Sequence, residues 1–155
     1  MANDYKGMSF SIAFTNKAIR DKATKFLVVL KEKADQKDPS GWYGVEIEEM
    51  GDKEIAIYDS GEGYFEEGFL DDLCKLVKKF KLPPILVEIA YWCDKPRTGA
   101  FGGSACQVRA DGYLWVQPAG VAASFEHCKT GDEIANWITK HAIQGLTWCP
   151  VKGKK

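Results

Sequence analysis

An α+β fold, in which one-sided helices cover an antiparallel sheet, is predicted by three features of the sequence. Several short segments alternate apolar and polar residues with the period of a half-buried strand. Two longer segments repeat apolar residues every three or four positions, the mark of a helix with one buried stripe. The two patterns are interleaved, in the order strand, helix, strand, strand, helix, strand.

The first strand is read at residues 9–14, where Phe10, Ile12 and Phe14 share a face. Thr15 or Asn16 can cap the helix that follows, whose stripe is Ile19, Ala23, Phe26, Leu27, Leu30 and Ala34. Its lysines lie mostly off that stripe, and Pro39-Ser-Gly41 stops it. Val45 and Ile47 then alternate with Glu46 and Glu48. Beyond the Met50-Gly-Asp-Lys53 turn, Ile55 and Ile57 alternate with Glu54, Ala56 and Tyr58. This predicts a hairpin with four β-branched residues on one face and glutamates with Tyr58 on the other.

A second helix is expected over 66–80, its stripe running from Phe69 through Leu73 and Leu76 to Phe80. Acidic residues fill its first turn and lysines its last, the polarity that complements the helix dipole. Leu82-Pro-Pro84 ends it. The near-continuous apolar run 85–93 predicts a central strand, and 105–109 and 113–116 about the Asp111-Gly112 turn predict another hairpin. Thr130-Gly-Asp-Glu133 has capping-box spacing, which predicts a third helix over 132–142.

The first six elements have the order of a ferredoxin-like split βαβ unit. The expected fold is that unit, its sheet extended by the C-terminal hairpin, plus the third helix. The 155 residues and 45% apolar content suit a single domain, 1–150, with a frayed basic tail at 151–155. No run reaches the roughly 18 apolar residues that span a bilayer, and the first residues lack the apolar stretch of a secretion signal. A cytoplasmic location without membrane association is therefore expected.

The stretch Val87-Glu-Ile-Ala-Tyr-Trp-Cys-Asp94, followed by Phe101-Gly-Gly103 and Asp111-Gly112, resembles the ferredoxin-like domain of small phage- and plasmid-borne proteins of unassigned function. In that group an acidic, aromatic strand precedes a glycine-rich turn and an Asp-Gly hairpin. The resemblance implies an accessory protein of a mobile element and brings no catalytic residues.

Charge is unevenly distributed along the chain. The net charge is −1, yet residues 41–72 hold eleven carboxylates and one lysine, whereas residues 1–40 hold eight basic and five acidic side chains. Such an acidic region repels phosphate and attracts cationic protein surfaces. The expected function is a non-enzymatic protein-binding module, perceived by its partner through Glu46, Glu48, Glu54, Tyr58, Glu62, Tyr64, Glu66 and Arg97. Carboxylates would steer and aromatics would anchor. An inhibitor that occupies the basic surface of a host protein fits this pattern.

Two other classes stay open. Glu88, Trp92, Asp94, Arg97 and Trp115 could line an enzyme pocket with a carboxylate pair. Tyr58, Tyr91, Trp92, Tyr113 and Trp115 could stack single-stranded nucleic acid, but glutamates on the same face would oppose the roughly 1–3 kcal/mol gained per base. Five cysteines and two histidines, at His127 and His141, match no zinc spacing, and no EF-hand loop, phosphate loop or nucleophile elbow is present. No metal or cofactor is expected, and the thiols are read as buried and free. The sequence leaves the oligomeric state open.

Overall fold

The computed structural model describes residues 4–37, 42, 44–59, 67–93, 102–116, 130 and 146–151. The described elements are β1 (Asp4–Ala13), α1 (Lys17–Lys37), β2 (Val45–Met50), β3 (Glu54–Asp59), α2 (Glu67–Phe80), β4 (Ile85–Cys93), β5 (Gly102–Val108), β6 (Gly112–Val116) and β7 (Leu146–Pro150). The strands form one sheet in the order β2-β3-β1-β4-β5-β6-β7, and every neighbouring pair is antiparallel. The fold is α+β.

The expected architecture needs correction at its C-terminal end. A seven-stranded sheet replaces a sheet closed by one hairpin, and the described residues contain two helices, not three. The helix expected over 132–142 lies outside the described residues. Residues 146–150, to which the sequence assigns no element, form β7, which pairs with β6 and is continued by a hydrogen bond from the Val151 N–H to the Asp111 carbonyl at 3.1 Å. Five residues ending in proline give too short a period to register as a strand, and only the free edge of β6 makes them one.

Alternation along the strands sorts the side chains into two layers. Phe10 and Ile12 of β1, Ile55 and Ile57 of β3, Val87 and Ile89 of β4, and Cys106 and Val108 of β5 are buried on one face. They form a core with Ala23 and Leu27 of α1 and with Phe69, Leu70, Leu73 and Leu76 of α2. The helices touch each other, while α1 also meets β3 and α2 meets β5 and β6. Both therefore cover the same side. Phe69 lies at the centre, edge-on to Phe10 at 6.3 Å and to Trp42 at 4.7 Å.

Local chemistry fixes the ends of the helices. Asn16, of the two residues able to cap α1, does so: its Oδ1 accepts the Ile19 N–H at 3.0 Å. At the end of α2, Lys81 takes a left-handed φ of 52°, and the Leu82 N–H reaches back to the Val77 carbonyl at 3.1 Å. This is a Schellman stop built on lysine, where glycine is usual. It precedes the two prolines that the sequence reading credited with the termination.

Two polar links tie the layers together. Arg20 of α1 is buried to 3% exposure and donates to the Gly51 carbonyl at 3.0 Å. The same nitrogen lies 2.9 Å from a Glu49 carboxylate oxygen. Its Nε is 2.7 Å from Asp21 Oδ1 but lacks hydrogen-bond alignment, so that contact is purely electrostatic. Arg20 thus clamps the β2–β3 turn to the first helix. Elsewhere Trp42, wholly buried, donates its indole N–H to Asp72 Oδ2 at 3.0 Å, while Lys75 binds Oδ1 at 2.6 Å.

Replacing Arg20 by methionine is expected to cost about 2 kcal/mol in urea denaturation, less than a fully buried pair because both carboxylates retain water. Lys17→Ala, which removes an exposed pair with Asp52, should change stability by no more than about 0.5 kcal/mol. Trp42→Phe should cost about 1–3 kcal/mol by leaving one buried oxygen of Asp72 without its donor.

Candidate functional site

The face of the sheet opposite the helices carries the candidate site. Strand parity that turns Val45, Ile55 and Ile57 inward turns Glu46, Glu48 and Met50 of β2, and Glu54, Ala56 and Tyr58 of β3, outward. Cross-strand register then aligns a row: Glu46 is opposite Tyr58, Tyr58 opposite Ser9, Ser9 opposite Glu88, and Glu88 opposite Ala105. Four glutamates from three strands share one face. Glu46, Glu48 and Glu88 are exposed and Glu54 is half-buried, and no ion pair among the described residues engages them.

Apolar anchors accompany these charges. Met50 and Leu86 are 50% and 55% exposed on the same face, and Tyr58 is half-buried there. Between them, Ser9, Ser11, Ala56 and Ala90 keep the surface low.

The acidic segment 41–72 is not all on this face. Glu49 is held by Arg20 and Asp52 by Lys17, so α1 neutralises both ends of the hairpin turn. Asp72 is buried beneath Trp42, and α2 lies on the helical side of the sheet. The single acidic field that the charge count along 41–72 predicts is therefore divided by the fold. The hairpin glutamates Glu46, Glu48 and Glu54 and Asp72 of α2 belong to opposite layers.

Of the other predicted contact residues, Glu62, Tyr64, Glu66 and Arg97 lie outside the described residues. The alternative pocket is only partly traced. Asp94 is also outside the described residues, and Trp92 is described as a backbone position in β4, opposite Tyr5. Glu88 and Trp115 lie on opposite faces, because Trp115 is in register with inward-facing Cys106 and packs edge-on with Tyr113 at 6.4 Å. Tyr113 is buried, which leaves Tyr58 as the one aromatic side chain described on the open face.

A second charged feature went unnoticed in the sequence. Between α1 and α2 runs a groove of about 540 Å³ lined by Lys22, Lys25, Lys33, Lys79, Phe26 and Val29. Phe80 completes its floor, edge-on to Phe26 at 6.0 Å, and Lys79 Nζ is 4.1 Å from the Phe26 ring centroid. The periodicity puts Phe26 on the inward stripe and the lysines mostly off it, and in the structure the two meet along this groove. The signal that links them is the spacing of Lys22, Lys25, Val29 and Lys33 along one side of α1.

Covalent or metal chemistry finds little support among the described residues. No group of three or more His, Cys, Asp or Glu side chains is placed to hold a metal. Burial pushes the Cys106 thiol up to about 12, helped by the neighbouring thiols of Cys74 and Cys149, and pushes Cys74 up to about 11, helped by Asp71. Both are poor nucleophiles. Helices long and apolar enough to cross a membrane are absent among the described residues. No protein-family model, characterised protein or solved structure matches the chain.

The thiols make a pH prediction. A raised folded-state value gives stability that is complete below the ordinary thiol value of 9.0 and is lost as pH rises through about 12. Urea midpoints should therefore fall over that window, and Cys106→Val should flatten the fall relative to the wild type. Equal slopes in the two proteins would contradict this placement of Cys106.

Proposed function

We propose that the chain is a non-enzymatic protein-binding module that docks a cationic protein surface on the open face of β2, β3, β1 and β4. The observation that supports this reading is the gathering of Glu46, Glu48, Glu54 and Glu88 on the face away from α1 and α2, where no ion pair among the described residues engages them. Exposed carboxylates give little energy singly, but a cluster of one sign accelerates encounter and selects partners of the other. Met50, Leu86 and Tyr58 supply the desolvated area that holds a complex once formed.

The same face disfavours nucleic acid, since four carboxylates would meet a phosphate backbone. Proteins that themselves bind nucleic acid present clustered Lys and Arg and are the class of target this surface fits. The resemblance to mobile-element proteins leads to the same class, as an accessory or inhibitory protein acting on a basic host component.

The test is capture of partners from the native cell at low and high ionic strength, using the wild type and E46K/E48K/E54K. Capture of basic proteins should weaken with salt, and the triple variant should bind them at least about tenfold more weakly, as three or more lost charge pairs imply. Undiminished capture by the variant would reject this face as the contact.

A further inference from the structure

The two charged surfaces of this molecule are complementary to each other and lie on opposite sides of it. On the sheet side are Glu46, Glu48, Glu54 and Glu88. On the helix side are Lys22, Lys25, Lys33 and Lys79, none of which forms an ion pair among the described residues. Glu32 is an exposed acid on that side of α1, and Asp21 is committed to Arg20, so the groove remains predominantly basic.

The apolar residues divide in the same way. Among the described residues the exposed large hydrophobics are Val28, Val29, Met50 and Leu86. Val29 lines the groove with the lysines, and Met50 and Leu86 accompany the glutamates. Neither group can reach the other within one chain, because the sheet and its core separate them.

We infer that this chain recognises a second copy of itself, the helical groove of one molecule seating on the acidic sheet face of the next. Charge complementarity and matched apolar anchors favour this occupant. A net charge of −1 leaves little overall repulsion between copies. Low side chains at Ser9, Ser11, Ala56 and Ala90 let α1 of the neighbour approach the sheet, with Val29 of its groove directed toward the apolar residues Met50 and Leu86. The contact joins two different surfaces, so it is heterologous: it propagates head to tail unless a rotation closes it into a ring. The inference rests on the acidic-face reading above and names its partner.

Sedimentation velocity at low salt tests it with three proteins. The wild type should grow in size with concentration and revert to monomer at high salt. E46K/E48K/E54K and K22E/K25E/K33E, each checked for native circular dichroism, should be monomeric alone. Mixed in equal amounts they should associate again, because the intact groove of one meets the intact acidic face of the other and the two reversed faces are also opposite in charge.

A wild type that stays monomeric at every concentration would overturn the inference. So would self-association that persists in either variant alone, or two folded variants that fail to join when mixed. Retention on polylysine separates this failure from that of the underlying reading. If the wild type is monomeric yet polylysine retains it more strongly than E46K/E48K/E54K, self-recognition falls and the acidic face stands as a cation-binding surface. If polylysine retains both equally, the acidic face falls as well.

Discussion

The placement of both helices on one side of the sheet governs the chemistry of the other side. Once Phe69 and Leu73 of α2 and Leu27 of α1 occupy one face, the two-residue period of β1 to β4 leaves no choice about which residues point away. Phe10, Ile55, Ile57, Val87 and Ile89 must be inside, so Ser9, Glu54, Tyr58 and Glu88 must be outside. A one-residue slip in β2 or β3 would bury glutamates and expose isoleucines. The acidic face is thus a consequence of how the core is packed.

Within the acidic segment, only some of the carboxylates are tied into the fold. Glu49, Asp52 and Asp72 are engaged by Arg20, Lys17, Lys75 and Trp42 and serve to hold the turn and the helices in place. Among the described residues no ion pair engages Glu46, Glu48 and Glu54. The contrast is useful because Arg20 fixes the hairpin that carries the free glutamates. A structural ion pair at the rim of the sheet therefore sets the position of a surface charge cluster a few residues away.

Much of this arrangement was legible in local sequence. The alternation in β2 and β3 gave the two faces of the hairpin, the apolar stripe of α2 gave its buried side, and the run 85–93 coincides with β4. What failed depends on distant partners. β7 exists because β6 offers an edge, and β1 begins at Asp4 because β4 continues far enough to pair with it, whereas its own alternation was noticed only from Ser9. Trp42 had no periodic neighbours to mark it, and its burial comes from Phe69 and Asp72 far along the chain. For the site, counting carboxylates along the chain exaggerated the field, since a linear count cannot tell Glu48 from Asp72. The groove was missed for the complementary reason that its lysines come from two helices.

The described residues set four glutamates on the sheet face and four lysines along the groove between the helices, with Met50 and Leu86 exposed beside the first and Val29 in the second. Amide chemical-shift mapping of the isotopically labelled protein during titration with a short lysine peptide at low salt measures the acidic face most directly. The account predicts that the largest changes cluster on Glu46, Glu48, Glu54, Tyr58, Ser9 and Glu88. Changes of equal size at the start of α2, or spread evenly over both layers, would contradict it.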